Sequence, residues 1–313
     1  MTAAASHALD IQGHRGARGL APENTLPAFA KSLALGVSTL ELDCAITRDG
    51  VVVVSHDPAL NPDITRGPDG KWLQQTGPTF HSLTFQELQR YDVGRINPGS
   101  AYAKRWPEQR SVDGTRIPRL ADLFALVLKS GNETVRFNIE TKISPLAPDE
   151  TTTPEDFARK LISAVRTAGM AERTAIQSFD WRSLAVVQKE APEIPTVYLT
   201  SVSGFMDNIQ VMGDSPWTAG HRARDHGGSI PRTIRAAGGA VWSPYQGDLT
   251  REAVKEAQAL GLKVVVWTVN DPAGMRRMIE WGVDGAISDR PDLLRKVAGE
   301  MGVSLPRPTP VTP

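Results

Sequence analysis

The feature that most constrains the fold is the alternation of short β-rich segments with amphipathic helical segments along the 313-residue chain. Such alternation predicts a parallel sheet whose helices pack outside it. Eight β-rich segments lead into helices, near residues 10, 41, 137, 176, 198, 241, 266 and 287. Eight βα units predict one α/β domain over residues 1–313, a (β/α)8 TIM barrel. An open doubly wound sheet is the alternative, but it fits less well because the candidate polar residues end several different strands.

The segment after the second barrel strand departs from this alternation. Asp49-Gly50, between two β-rich runs, predicts a hairpin whose return strand ends just before His56. Residues 58–118 are then rich in Pro, Gly, Asn and Asp. We interpret them as an insertion folded over one mouth of the barrel, because long loops in compact domains are often lids or binding loops. A long structural loop is the alternative.

The two ends of the chain carry separate expectations. Residues 306–313 are proline-rich and are expected to form a disordered tail. Residues 1–8 lack the basic and apolar regions of a signal peptide, although their small residues resemble what remains after cleavage of one. The compartment stays open: cytoplasmic, or periplasmic or secreted if a signal peptide was removed.

Composition and charge argue against several partners. Lys+Arg and Asp+Glu are both 35, which gives a formal net charge of zero. Nucleic-acid binders and anionic-membrane binders favour a basic surplus, so neither nucleic acid nor stable membrane association is expected. No apolar run is long enough to span a bilayer. The single cysteine, Cys44, excludes an intrachain disulfide and a cysteine-based zinc site. The oligomeric state is left open.

Two carboxylates alternate with apolar residues on the second barrel strand. Glu41 and Asp43 share one face, whereas Leu40, Leu42 and Cys44 share the other. The apolar face is expected to meet the helices, so the carboxylates point into the lumen. Adjacent acids repel there unless they are neutralised, and one divalent cation with oxygen ligands, Mg²⁺ or Ca²⁺, would neutralise them. A pair of surface acids is the alternative.

The third barrel strand repeats this pattern. Asn138, Glu140 and Lys142 share a face, while Phe137 and Ile139 take the other. Glu140 can supply a third carboxylate to the same cation, and Lys142, nearer the mouth, can bind a phosphoryl oxygen. Three carboxylates without cysteine or clustered histidine favour Mg²⁺ or Ca²⁺ over zinc.

Two histidines follow strand-like runs that are expected to end at the same mouth. His14 precedes Arg15, and His56 precedes Asp57. Histidines on opposite sides of a phosphate can act as a general acid and a general base, and an arginine can hold the phosphate. Buried structural histidines are the alternative, but the neighbouring charged residues and the carboxylate cluster favour catalysis.

Two further candidates have weaker signals. Gln177 ends a strand, and Trp267 alternates with Val265 and Val269, so it could face the lumen and line a glycerol or leaving-group pocket. An ordinary place in the barrel core is the alternative for both.

Together these residues resemble the glycerophosphodiester phosphodiesterase family. The pieces run in family order over residues 10–292, nearly the whole chain. They are His14-Arg15-Gly16 with Pro22-Glu23-Asn24-Thr25, Glu41-Leu42-Asp43, His56-Asp57, Glu140-Thr141-Lys142, Gln177-Ser178-Phe179-Asp180, Trp267-Thr268-Val269-Asn270 and Asp284-Gly285-Ala286-Ile287-Ser288-Asp289-Arg290-Pro291.

The resemblance implies a TIM barrel and metal-dependent hydrolysis of glycerophosphodiesters to sn-glycerol 3-phosphate and an alcohol, with one divalent cation, Mg²⁺ or Ca²⁺. It implies acid–base catalysis by the two histidines, through a cyclic phosphate. The implied metal ligands are Glu41, Asp43 and Glu140. The implied phosphate contacts are Arg15 and Lys142.

Two rival functions remain at this stage. One is a phospholipase on the same barrel, such as a sphingomyelinase D-like enzyme, which should show an exposed apolar rim for lipid. A lysophospholipase D activity on this barrel would need only a longer alcohol pocket. The insertion is polar and loop-like rather than apolar, which disfavours the lipid-docking phospholipase. The other rival is a catalytically silent module that only binds glycerophosphodiesters, although both histidines and all three carboxylates are present.

Overall fold

Eight parallel strands close into a barrel. The structure is a computed structural model that describes residues 9–313. Within that range the strands are β1 (Asp10–Gly13), β2 (Thr39–Ile46), β3 (Val52–Val54), β4 (Arg136–Thr141), β5 (Thr174–Ser178), β6 (Thr196–Thr200), β7 (Val241–Pro244), β8 (Lys263–Val266) and β9 (Gly285–Ser288). β1 pairs with both β2 and β9, whereas β3 pairs antiparallel with β2. The predicted TIM barrel is therefore confirmed, and the open sheet is excluded.

Helices between the strands cover the outside of the barrel. In the described chain they are α1 (Leu26–Leu35), α2 (Phe85–Leu88), α3 (Leu120–Lys129), α4 (Pro154–Thr167), α5 (Trp181–Glu190), α6 (Ile230–Ala236), α7 (Arg251–Ala259), α8 (Pro272–Trp281) and α9 (Pro291–Glu300). Thr25 caps α1 by accepting from the backbone amide of Ala28, and Gly36 ends it at a φ of 83°. Across residues 9–313, no helix combines the length and apolar character that a membrane span requires.

Strand alternation sorts the side chains of β2 between two environments. Leu40, Leu42 and Cys44 are fully buried in the apolar layer between sheet and helices. Glu41 and Asp43 are each 1% exposed on the opposite face, inside the barrel. The polar lumen is therefore a direct consequence of the two-residue period of the strand.

The insertion, residues 58–118, has a small apolar core of its own. Leu60, Phe80, Leu88, Val93 and Ile117 are buried together with Ala45 of β2 and Val53 of β3. α2 begins with a capping box between Thr84 and Glu87. Residues 102–110 reach the loops that follow β1 and β9, where Gln109 donates to the Arg18 carbonyl at 2.7 Å and Arg290 pairs with Glu108 at 2.8 Å. These contacts place part of the insertion at the mouth of the barrel.

The C-terminal segment differs from the expected disordered tail. It contains no helix or strand, but Thr309 donates its amide to the Leu33 carbonyl and its hydroxyl accepts from Asn132, both at 2.9 Å. Arg295 donates to the Pro306 carbonyl at 2.8 Å. Proline removes donors without preventing a segment from lying along a helical surface, which explains the difference. The signal-peptide remnant concerns residues 1–8, which lie outside the described residues.

Candidate active site

Three buried carboxylates form a cluster inside the barrel. Glu41 and Asp43 of β2 and Glu140 of β4 each place an oxygen within 4.8 Å of the others. Strand register accounts for this, because Asp43 lies directly opposite Glu140 in the β2–β4 pair. The predicted grouping of these side chains is therefore present in the structure.

The pKa values of the three carboxyl groups in this cluster are shifted in different directions. Burial, with the neighbouring Asp43, raises the pKa of Glu41 well above its ordinary value, and burial raises that of Glu140 to about 7. Burial also acts on Asp43, but the positive charges of His56, Lys142 and Arg15 lower its pKa overall. Oxygen Oδ1 of Asp43 is buried without a hydrogen-bond partner. Three buried carboxylates with an unpartnered oxygen fit a hard divalent cation.

Neighbouring side chains orient these carboxylates. Gln177 donates its amide to Glu41 at 2.7 Å, and Asn24 donates to Asp43 at 2.9 Å. Lys142 donates to Glu140 at 2.9 Å. Because residues from four separate loops or strands converge on the cluster, its geometry is set by the closed barrel rather than by β2 alone.

His14 lies at the end of β1 and is held by Asp289 from the end of β9. Its Nδ1 is 2.6 Å from Asp289 Oδ1, and its Nε2 is 3.9 Å from Glu41 Oε2. Arg18 and Asn270 also donate to the Asp289 carboxylate, at 2.8 and 2.7 Å. Burial lowers the pKa of His14, although Asp289 opposes that effect. His14 can therefore be neutral with Nε2 turned towards the carboxylate cluster.

His56 follows the hairpin strand and has a similar partner. Its Nδ1 is 2.8 Å from Asp57 Oδ1, while Asn61 donates to the other Asp57 oxygen at 2.7 Å. Burial, followed by the charges of Arg15 and Lys142, lowers the pKa of His56 well below its ordinary value. Both predicted histidines line one cavity of about 580 Å³ with Glu41 and Glu140.

Arg15 and Lys142, the predicted phosphate ligands, also line this cavity. Arg15 donates to Glu23 at 2.5 Å, and its Nε lies 3.5 Å from Asp43. That Nε is buried without a hydrogen-bond partner, so the guanidinium has an unused donor beside Asp43. The phosphate contacts themselves stay a prediction.

Gln177 and Trp267, the weaker candidates, differ in the hydrogen bonds that their side chains already make. Both ends of the Gln177 amide are engaged, because it donates to Glu41 and accepts from Asn138 at 2.8 Å. Trp267 lines the cavity and donates its indole N–H to the Ser243 carbonyl at 2.9 Å. Gln177 thus has a clear orienting contact, whereas direct substrate contact remains a prediction for both residues.

Sequence reasoning did not single out two groups that the structure brings to the site. Asp289 was part of a family motif, and its position just after the last barrel strand was the available signal. Tyr102 lies in the insertion, donates its hydroxyl to Glu23 and accepts from Arg18 at 3.2 Å. No local pattern marks Tyr102, because its contacts depend on how the insertion folds back.

The model of the glycerophosphoryl diester phosphodiesterase family matches residues 14–293. A glycerophosphodiester phosphodiesterase of Caldanaerobacter subterraneus subsp. tengcongensis is 30% identical over 285 residues, which cover 91% of this chain and 95% of the relative.

Solved structures share the barrel. A provisionally named glycerophosphoryl diester phosphodiesterase from Silicibacter pomeroyi DSS-3 is 36% identical, with a TM-score of 0.84 and 95% of each chain covered. A phosphodiesterase of Oleispira antarctica was solved in complex with the product sn-glycerol-3-phosphate. It has a TM-score of 0.68, and the match covers 93% of this chain and 97% of that chain. At 19% identity it supports the fold alone. The family match over most of the chain, together with the 30% identical relative, shows that this chain belongs to the glycerophosphoryl diester phosphodiesterase family.

Proposed function

We propose that this protein is a divalent-cation-dependent phosphodiesterase that hydrolyses glycerophosphodiesters to sn-glycerol 3-phosphate and an alcohol. One observation carries the proposal: a single cavity is lined by Glu41 and Glu140 of the carboxylate cluster, by two carboxylate-paired histidines and by two cations, Arg15 and Lys142. This set can bind an anionic phosphodiester and move protons on both sides of it. Membership of the family supports the same substrate class.

The carboxylate cluster is the proposed cation site. Glu41, Asp43 and Glu140 would hold one Mg²⁺ or Ca²⁺, because both ions prefer oxygen ligands. When bound, the ion would acidify a glycerol hydroxyl and neutralise charge on the phosphoryl oxygens. The raised pKa values of Glu41 and Glu140 support this assignment, since buried carboxylates of this kind are stabilised as anions by a cation.

His14 is the proposed general base. The Asp289 carboxylate only accepts hydrogen bonds, so the Nδ1 of His14 donates to it and the Nε2 lone pair is left for a proton. The lowered pKa keeps His14 neutral at physiological pH, which a base requires. His14 would remove the proton from the attacking glycerol hydroxyl, whose oxygen then bonds to phosphorus in a cyclic phosphate that water subsequently opens.

His56 is the proposed general acid. It lines the same cavity as His14, and Asp57 holds its Nδ1 at 2.8 Å, which leaves Nε2 for the departing oxygen. Burial, followed by the charges of Arg15 and Lys142, lowers its pKa in the ligand-free site. A bound phosphodiester anion offsets those charges and so raises the pKa of His56 in the complex. The protonated ring then donates to the alcohol as its bond to phosphorus breaks.

Arg15 and Lys142 are the proposed phosphate ligands. Arg15 is buried and Lys142 is partly buried, and Lys142 lies 3.8 Å from Asp43, beside the proposed cation site. Their charges would stabilise the negative charge that builds up on the phosphoryl oxygens during attack.

The test is a turnover assay with several head groups. Purified protein is given glycerophosphocholine, glycerophosphoethanolamine or glycerophosphoglycerol, and sn-glycerol 3-phosphate is measured by a coupled dehydrogenase. We expect turnover with Mg²⁺ or Ca²⁺, loss of turnover in EDTA and recovery when the cation is restored. Full activity in chelator would remove the cation from the proposal, and binding without turnover would favour the silent module.

A further inference from the structure

The cavity has a second half that the proposed chemistry does not use. Beyond the histidines and carboxylates, its lining is mostly apolar and comes from the loops after β4, β5, β6 and β8. The side chains that carry the argument are Ile143, Phe179, Phe205, Met206, Trp217 and Trp267. We call this half the apolar groove.

Three aromatic rings form one wall of the apolar groove. Phe179, Phe205 and Trp267 contact each other edge to face, with ring centroids 5.4 Å apart for Phe179–Trp267 and 6.0 to 6.1 Å for the other pairs. The Trp267 indole N–H is already bonded to the Ser243 carbonyl. This wall therefore offers carbon surface to a ligand and no free side-chain donor.

Exposed apolar side chains lie on two of the loops that line the cavity. Phe205 is 75% exposed, and Leu146, in the loop after β4, is 73% exposed. Single exposed apolar residues are common, but these two accompany a groove that is itself apolar. Covering such side chains with hydrocarbon is favourable because their surface leaves water.

We propose that the apolar groove binds the hydrocarbon chain of a monoacylated glycerophosphodiester, that is, a lysophospholipid. This inference rests on the proposed phosphodiesterase function and specifies its substrate. A chain on the sn-1 oxygen leaves the sn-2 hydroxyl free, so the same hydroxyl can attack phosphorus. Overall, the phosphorus–oxygen bond to the head-group alcohol breaks, water supplies the new oxygen on phosphorus, and the products are a monoacylglycerol phosphate and the alcohol.

A quaternary ammonium head group is a less suitable occupant of the same wall. The Nζ of Lys142 lies 6.0 Å from the centroid of the Phe179 ring, so a positive charge is already close to that ring. A second cation there would be repelled. Arg105 and Glu150 also line the cavity, but both are exposed and remain solvated.

The experiment compares two substrates that differ only in the chain. Ethanolamine release is measured from glycerophosphoethanolamine and from 1-lauroyl lysophosphatidylethanolamine below its critical micelle concentration, with Mg²⁺ present. We expect a kcat/KM at least about tenfold higher for the acylated substrate, which corresponds to burial of roughly two methylene groups.

Substitutions in the groove separate specific binding from a general surfactant effect. Phe205→Ser and Met206→Ser, both at residues that line the groove, should each lower the ratio of the two kcat/KM values, acylated over unacylated, by about fivefold or more. Leu128→Ser, which replaces an exposed apolar residue of α3 outside the cavity, should leave that ratio unchanged.

The outcomes distinguish the two proposals. If neither substrate is turned over, the phosphodiesterase function itself fails. If glycerophosphoethanolamine is turned over and the acylated substrate is not preferred, the groove proposal is overturned and the function stands. An acyl preference that survives both groove substitutions would also overturn it.

Discussion

The Nδ1 of His14 lies 2.6 Å from the Oδ1 of Asp289, although 275 positions separate the two residues in the chain. The reason is the closure of the barrel, because Gly13 of β1 pairs with Ser288 of β9 and the next residue of each strand is then adjacent. Burial acts to raise the pKa of Asp289, but the charges of His14 and Arg18 hold it far below its usual range. Asp289 is therefore an anion that orients His14.

Replacement of Asp289 by Asn should lower kcat by roughly 10²- to 10⁴-fold, because an amide no longer selects the His14 tautomer. Asp289 raises the pKa of His14, so its loss should also move the acidic limb of the kcat/KM pH profile to lower pH. Steady-state kinetics across pH measures both effects.

The matched control for this substitution is Asp225→Asn, on an exposed carboxylate that pairs with Arg222. It should leave both kcat and the pH profile unchanged. A loss of kcat in Asp289→Asn without movement of the acidic limb would assign Asp289 a purely structural role.

His14→Ala and His56→Ala should each reduce kcat by at least about 10²-fold, since each removes one proton-transfer group. His226→Ala, outside the cavity, is the control and should be unaffected. Thermal unfolding of each variant shows whether the fold is retained. Near-normal turnover in either folded variant would contradict the acid–base assignment.

Cation affinity should weaken as the pH falls. Burial raises the pKa of Glu140 to about 7, so below that pH the carboxyl holds a proton that a cation must displace. Affinity should therefore fall from pH 8 to pH 6, by up to about tenfold per pH unit below the pKa. Calorimetric titration of Mg²⁺ or Ca²⁺ in buffers of different ionisation enthalpy reports the released protons.

Two variants sharpen this cation experiment. Glu140→Gln should weaken binding at every pH, because it replaces one of the three carboxylates of the cluster. Glu280→Gln, on the exposed face of α8, should bind as the unmodified protein does. Binding that is independent of pH and insensitive to Glu140→Gln would place the cation elsewhere.

Tyr102→Phe should lower kcat/KM by roughly fivefold, the equivalent of one lost hydrogen bond of about 1 kcal/mol. Burial, with Glu23 nearby, raises the pKa of Tyr102, so its hydroxyl stays protonated and donates to Glu23. Glu23 in turn holds Arg15. Without the hydroxyl, the insertion no longer fixes this pair.

Tyr91→Phe is the control, because Tyr91 packs against the core of the same insertion. Kinetics and the free energy of unfolding should be measured for both variants. A kcat/KM for Tyr102→Phe equal to that of Tyr91→Phe would show that the insertion does not position the site.

Local sequence was sufficient to predict the strands and helices of the barrel and the carboxylate cluster inside it. Thr25 and Gly36 set the ends of α1, because capping and a left-handed backbone depend on adjacent residues. The alternation of Glu41 and Asp43 with apolar residues predicted which face of β2 is polar. The carboxylate cluster followed, since neighbouring parallel strands place corresponding residues side by side.

Contacts between distant segments decided the rest. Asp289 reaches His14 only because the last strand pairs with the first, and Tyr102 reaches Glu23 only because the insertion folds onto the mouth. The apolar groove combines irregular loops after several strands, which have no periodic pattern. The sequence by itself therefore determined the barrel, the acidic face and the two histidines. Only the tertiary structure decided how those histidines are oriented and which side chains line the cavity around them, because those contacts arise when the barrel closes.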